Sequence, residues 1–219
     1  RGMSSAASDV YKRQDLIITS GTLATHETSE AVDIAITDGR FAALGGVSAE
    51  QGREHIDATG LTILPGVIDT QVHFREPGIE HKEDLQSGSL AAVMGGVTGV
   101  FEMPNTKPPT TTAEAVEDKV ARAINRMHCD FAFYVGGTHE NAAELPKLEK
   151  MPGVCGVKVF MGSSTGNLLV PDDDGVADIL KSIRRRAAFH SEDEFRLRER
   201  RSLAETGKVE TCLLYTSDA

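Results

Sequence analysis

The chain has 219 residues, and its 33 acidic and 23 basic residues give a formal net charge of −10. This acidic balance argues against a nucleic-acid-binding surface and is typical of a soluble, freely diffusing protein. No apolar run approaches the ~20 residues of a membrane span, which argues against an integral membrane protein.

The two ends of the chain do not read as protein sequence. Residues 1–14 and 212–219 resemble the translated ends of a DNA-sequencing adapter, because DNA that encodes SDVYKRQ can encode CLLYTSD on its other strand. Adapter-derived segments are excluded before any reasoning about fold. The interpretable chain is therefore predicted to run from Asp15 to Thr211.

Residues 15–64 are rich in short strand signals. Strand-like runs lie at 15–19, 31–36 and 40–44, with Asp38-Gly39 marking a hairpin turn between the last two. Further short runs follow at 55–58 and 61–64. This segment is predicted to be the N-terminal part of a small β-sandwich domain.

From Pro65 the pattern changes to strands that alternate with helices. Predicted strands lie at 67–74, 97–103, 130–135, 157–161 and 187–190, and the helices that follow them at 82–94, 112–127, 141–150, 173–186 and 192–204. Such alternation predicts an α/β fold with a parallel sheet and right-handed crossovers. Polar residues follow nearly every strand, which favours a (β/α)8 TIM-type barrel over an open sheet. Residues 65–211 are predicted to be the first five units of a barrel that continues beyond Thr211.

Two cysteines fall in the interpretable chain, Cys129 and Cys155, and neither has zinc-finger spacing. They predict a reducing compartment and no disulfide framework. The expected location is therefore the cytoplasm.

The first barrel strand ends in a group of polar residues. Gln71, His73 and Arg75 alternate, so their side chains should share one face of the strand. Neutral imidazole is a good ligand for zinc-like ions, whereas a Gln oxygen is a weak one. Arg75 is suited to hold a carboxylate by two hydrogen bonds. The alternative for His73 is a core histidine with satisfied hydrogen bonds.

Three further strand ends carry candidate site residues. Asn105 follows the second strand and offers a donor and an acceptor to an amide-like ligand, although Pro-Asn-Thr could simply form a turn. Lys158 lies among apolar residues in the fourth strand, where a charge is costly unless it is neutralised or paired. Reaction with CO₂ would give an anionic carbamate able to bridge metal ions; the alternative is a lysine that reaches the surface. His190 ends the fifth strand as a second imidazole.

Together these residues resemble the amidohydrolase superfamily and, within it, the dihydroorotases. Most dihydroorotases carry Asp-x-His-x-His followed by Arg-Glu-Pro-Gly; this chain matches the second histidine as His73 and the substrate-carboxylate arginine as Arg75. Asn105 matches the asparagine of Met-Pro-Asn-Thr. Lys158 matches the carboxylated lysine of hydantoinases and some dihydroorotases, and His190 matches the metal ligand after strand five.

The chain departs from the family pattern in two ways. Gln71 stands where the first metal-binding histidine is usual, which makes it at most a weak additional ligand. The family's remaining histidine ligand and its general-base aspartate are expected beyond Thr211. The resemblance therefore places no catalytic residue in this chain, and the chain by itself is predicted to be inactive.

The resemblance implies the metal-dependent, reversible hydrolysis of dihydroorotate to N-carbamoyl-aspartate in pyrimidine synthesis. It implies one or two Zn²⁺ ions per subunit, one being favoured because of Gln71, and a small-molecule substrate without nucleic-acid or membrane partners. Oligomeric state stays open, with a homo-oligomer as one alternative. Two other functions remain open: an allantoinase or dihydropyrimidinase (hydantoinase), and a catalytically silent homologue that supports another enzyme.

Overall fold

The computed structural model describes residues 13–162 and 166–206. The adapter-like segments lie outside this range except for Arg13 and Gln14. The chain divides into two compact units after Pro65. Within the described residues, no helix combines the length and the apolar character needed to span a membrane.

The first unit contains two small sheets. Its strands are β1 (Gln14–Thr19), β2 (Thr22–Ala24), β3 (Ser29–Ala31), β4 (Ile34–Thr37), β5 (Arg40–Leu44), β6 (Gly52–Asp57) and β7 (Thr62–Ile63). One sheet has the order β5-β4-β1-β6 and the other β3-β2-β7. Both are mixed, because β1 pairs antiparallel with β4 but parallel with β6, and β2 antiparallel with β3 but parallel with β7.

The predicted hairpin joins β4 to β5. Asp38 and Gly39 both have positive φ, 51° and 69°, as a two-residue turn between twisted antiparallel strands requires. The predicted strand at 31–36 is interrupted between β3 and β4, where Asp33 accepts a hydrogen bond from the backbone N–H of Ser20 at 2.9 Å. Sequence pattern cannot reveal that long-range contact.

The second unit is a curled five-stranded sheet with helices packed on it. Its strands are β8 (Val67–Val72), β9 (Val97–Glu102), β10 (Asp130–Gly136), β11 (Val154–Phe160) and β12 (Ala187–His190), and its helices are α1 (Leu85–Met94), α2 (Ala113–Ala123), α3 (Leu145–Leu148), α4 (Asp173–Ser182) and α5 (Glu194–Glu205). All neighbouring strands pair parallel in sequential order. Sequential parallel pairing is the first half of a barrel, and it confirms the predicted fold class.

The helix-facing side of this sheet carries the apolar core. Val135, Val157 and Val159 pack there with Val116 of α2 and Ile179 of α4. A second cluster joins Phe74, Leu85, Val100, Ala123 and Phe133. Because side chains alternate along a strand, the opposite face is left for the residues between these apolar positions.

All five helices differ from their predicted bounds, and α4 ends at Ser182, four residues early; the cause is visible for α1, α2 and α3. α1 begins at Leu85, since the Asp84 side chain caps it by accepting from the backbone N–H of Gln86 and Ser87. α2 ends at Ala123, because Asn125 has a positive φ of 62°. The predicted helix at 141–150 is only the four residues of α3: the buried Asn141 side chain instead holds the preceding loop through Thr138, Thr111 and Gly136.

Candidate metal and substrate site

The candidate residues lie at one edge of the five-stranded sheet. Parallel strands have their carboxyl ends at the same edge, where barrel enzymes place their active sites. His73 follows β8, Asn105 follows β9 by three residues, Lys158 lies near the end of β11, and His190 is the last residue of β12. The sheet therefore brings these four residues to a common edge.

His73 and Asn105 are joined directly across two strand ends. Nδ1 of His73 lies 2.8 Å from Oδ1 of Asn105. Because an amide oxygen only accepts, Nδ1 carries the proton and Nε2 of a neutral ring keeps its lone pair. Burial lowers the pKa of His73, and the charges of Arg75 and Lys158 lower it further, whereas the Asn105 bond raises it. The ring is thus held in the neutral form with Nε2 available.

Lys158 is almost completely buried, with 1% of its surface exposed. Its Nζ lies 5.0 Å from the centroid of the Phe160 ring. Within residues 13–162 and 166–206, its side chain has no hydrogen bond or ion pair, and burial lowers its pKa. A buried amine without an anionic partner favours the neutral, nucleophilic form. The alternative of a surface-reaching lysine is excluded.

His190 lies on the same side of the sheet as Lys158. It pairs in register with Phe160, and the two rings stack with centroids 6.0 Å apart. Its Nε2 contacts Oε2 of Glu192. Sequence reasoning passed over Glu192, although it lies two residues after His190 in the same His-Ser-Glu-Asp run. The structure therefore gives His190 a carboxylate partner within this edge.

Of the four predicted metal ligands, Gln71 is the one with an exposed side chain. Its side chain is exposed, and only its backbone is tied down, through a bond from its N–H to Oδ1 of Asp69 at 2.9 Å. In the described part of the chain, no three His, Cys, Asp or Glu side chains are grouped closely enough to hold a metal ion. A metal site made from these residues therefore depends on Lys158 in addition to histidine.

Arg75 projects from the loop after β8 and is half-buried. It has a φ of 66°, and its guanidinium makes no ion pair with any residue the structure describes. The next residue, Glu76, is buried and pairs with Arg126 at 2.7 Å while accepting from the backbone N–H of Leu85 at 3.1 Å. Glu76 thereby anchors the loop, and it pairs with Arg126 instead of with the neighbouring Arg75.

Known proteins resemble this chain in sequence and in fold. Residues 60–151 match the family described as dihydro-orotase-like. The chain is 40% identical over 166 residues to an allantoinase of Rubrobacter xylanophilus, covering 75% of this chain and 35% of that protein. It is 39% identical over 142 residues to a dihydroorotase of Methanosarcina mazei, covering 64% and 31%.

The L-hydantoinase (dihydropyrimidinase) of Arthrobacter aurescens has a similar structure. It superposes with a TM-score of 0.83 at 28% identity, over 92% of this chain and 46% of that one. The chain thus spans about a third of the curated relatives it matches and under half of the solved structure. The chain contains a dihydro-orotase-like segment at residues 60–151, and these relatives in sequence and structure are cyclic-amide hydrolases of the amidohydrolase superfamily.

Proposed function

We propose that the full-length polypeptide containing this chain is a zinc-dependent cyclic amidohydrolase that interconverts dihydroorotate and N-carbamoyl-aspartate. The observation that carries the proposal is the half-buried Arg75 guanidinium, which has no ion-pair partner among the described residues and lies close enough to His73 to affect its pKa. A half-buried cation without an ion-pair partner among the described residues favours an anionic ligand. Dihydroorotate supplies one through its ring carboxylate, whereas allantoin and hydantoin carry none.

The side chains present fit a metal ion. Among the described residues, Nε2 of His73 has no hydrogen-bond partner, His190 is a second imidazole, and Lys158 is a buried amine with no hydrogen bond or ion pair. Imidazole nitrogen and anionic oxygen are ligands that suit zinc. When bound, the ion would lower the pKa of its water to about 7 and polarise the ring carbonyl.

Lys158 would serve as a ligand only after a covalent change. Its neutral amine attacks the carbon of CO₂, one N–C bond forms, and one proton is released to solvent. The product is a carbamate with two oxygens and one negative charge. Burial of Lys158 supports this step because it lowers the pKa of the amine and raises the fraction that is nucleophilic.

Arg75 and Asn105 would hold the substrate at its carboxylate side. A guanidinium can donate two parallel hydrogen bonds to a carboxylate, which fixes its orientation as well as its position. Asn105 keeps its side-chain N–H₂ as a donor while its oxygen is engaged with His73. The reaction would be a step of pyrimidine synthesis, and it would take place in the cytoplasm.

An allantoinase is the second candidate, because the Rubrobacter xylanophilus protein with 40% identity carries that name. A catalytically silent homologue is a third, and Gln71 is the feature that favours it. Lys158 counts against a catalytically silent protein, because a buried lysine without a hydrogen bond or ion pair among the described residues is costly and a protein without catalysis has no need of it.

Turnover by the purified natural-length polypeptide decides among the three. We expect hydrolysis of dihydroorotate to exceed that of allantoin and of hydantoin in kcat/KM, with N-carbamoyl-aspartate cyclised in the reverse direction. Faster turnover of allantoin would make the protein an allantoinase, and no turnover of any cyclic amide would favour the silent homologue. Residues 15–211 alone should show no turnover, because the general base is expected beyond them.

A further inference from the structure

Beneath the candidate site lies a buried ion pair between Glu102, the last residue of β9, and Lys119 of α2. Glu102 is 1% exposed and Lys119 is 0% exposed. Nζ of Lys119 donates to Oε2 of Glu102 and lies 5.3 Å from the centroid of the Phe133 ring. Removing two charges from water costs about as much as their attraction returns, so such pairs are a poor source of stability.

Hydrogen bonds to the backbone of Met103 connect the Glu102–Lys119 ion pair with the candidate site. Lys119 also donates to the Met103 carbonyl at 2.9 Å. The Met103 N–H donates to the Val72 carbonyl at 3.0 Å, immediately before His73. Met103 also lies two residues before Asn105. The peptide groups on either side of Met103 are therefore fixed, one by strand β8 and the other by Lys119.

Glu102 also lies within electrostatic reach of the loop that carries Arg75. Burial raises the pKa of Glu102 to about 7, and Lys119, the backbone N–H of Arg75 and the Arg75 charge oppose that rise. Oε1 of Glu102 has no hydrogen-bond partner in the described part of the chain. One carboxylate oxygen thus binds Lys119, while the carboxylate as a whole lies within electrostatic reach of Arg75.

We propose that Glu102 and Lys119 are positioning residues that fix the strand-end backbone from which His73, Arg75 and Asn105 project. This inference rests on the proposed function. In this role each residue acts through the Met103 peptide groups and the Arg75 loop, and not as a metal ligand or a substrate-binding group. Groups that hydrogen-bond directly to metal ligands commonly change metal affinity or activity about 10- to 100-fold when mutated, and we expect the same range for this indirect link.

Glu149 offers a matched control at the opposite end of the sheet. It is also fully buried, at 0% exposure, and its carboxylate accepts from the backbone N–H groups of Arg184 and Arg185 at 3.0–3.1 Å. Those residues precede β12, so they lie at the amino edge of the sheet. Glu149→Gln therefore perturbs a buried carboxylate without touching the candidate site.

The test uses the natural-length polypeptide with both charges replaced, Glu102→Met with Lys119→Met. The double substitution is chosen because Lys119→Met alone would leave the Glu102 carboxylate buried without its partner and could prevent folding. Three quantities are measured: the urea denaturation midpoint, the zinc affinity by competition with a chromophoric chelator, and kcat and KM for the cyclic amide the unmodified protein hydrolyses fastest.

We expect the double variant to keep its denaturation midpoint while its zinc affinity and its kcat each fall about 10- to 100-fold. Glu149→Gln should lower the midpoint and leave zinc affinity unchanged. Unchanged zinc affinity and kcat in the double variant would overturn the inference, and so would losses that only accompany a lower midpoint.

The same measurements separate this inference from the proposed function. An unmodified protein that binds zinc but hydrolyses no cyclic amide overturns the proposed function, while the zinc affinities still decide whether the pair positions the site. An unmodified protein that binds no zinc overturns both.

Discussion

His73 and Asn105 are joined by a 2.8 Å contact between Nδ1 and Oδ1, so a residue predicted to bind substrate also orients a predicted metal ligand. The bond crosses from the end of β8 to the loop after β9. It selects the tautomer of His73 in which Nε2 is free for a metal, because the amide oxygen can only accept. Metal-ligating histidines commonly have their second nitrogen held in this way.

The first prediction concerns Asn105. Asn105→Ala should weaken zinc binding by the natural-length protein about 10-fold or more, because it removes the acceptor that holds His73. Asn105→Asp keeps an acceptor for Nδ1–H and should retain zinc affinity, but should raise KM for dihydroorotate by repelling its carboxylate. Chelator competition and steady-state kinetics on both variants are the measurements. If Asn105→Ala and Asn105→Asp bind zinc equally well, the bond has no part in metal binding.

The second prediction concerns Arg75. Arg75→Met removes the charge and roughly keeps the length, so loss of a charge-assisted contact should cost about 2–4 kcal/mol in transition-state binding, or about 30- to 1000-fold in kcat/KM for dihydroorotate. Any residual hydrolysis of allantoin, which has no ring carboxylate, should change little.

Arg53 is the matched control for that substitution. Its exposed side chain pairs with Asp15 at 3.6 Å in the first unit, and Arg53→Met should leave kcat/KM near its original value. Near-unchanged kinetics of Arg75→Met on dihydroorotate would show that the carboxylate is held elsewhere and would favour the allantoinase.

Much of the second unit was predictable from sequence because its signals are local. The alternation of apolar strands and helices predicted the parallel sheet, and the position of Lys158 among apolar residues predicted a buried amine, which the structure confirms at 1% exposure. The fold class follows from that alternation alone. The roles of the site residues remain predictions.

The parts that sequence did not reveal depend on partners distant in the chain. Lys119 reads as one more charged residue of a helix, yet it is fully buried because Glu102, 17 positions earlier, faces it. The helix expected at 141–150 is short because Asn141 is bonded to Gly136 and to Thr111, which lies 30 residues away. Neither partner can be read from local pattern.

The third prediction concerns Lys158. If its carbamate is a metal ligand, Lys158→Ala should abolish tight zinc binding and activity, and millimolar acetate or propionate should partly restore both by supplying the missing carboxylate. Lys150→Ala is the control, because Lys150 is exposed and lies before β11. Zinc content after gel filtration and turnover with and without the acid are measured. A Lys158→Ala protein with full zinc and full activity would remove the carbamate from the mechanism.

The last prediction concerns metal stoichiometry, where Gln71 departs from the family pattern. A neutral amide oxygen is a weaker ligand for zinc-like ions than imidazole. The Gln71 side chain is exposed, and the structure ties down only its backbone. An ion that relied on Gln71 would therefore be held weakly at one position. An ion held by the Lys158 carbamate, His190 and the histidine that the resemblance leads us to expect beyond Thr211 would not depend on Gln71. We expect the natural-length protein to keep about one zinc per subunit after dialysis against a mild chelator. Gln71→His should raise that number toward two, and Gln71→Ala should leave it at one. Metal analysis of the three proteins decides the matter: two tightly bound ions in the unmodified protein would mean that Gln71 does not weaken the second position.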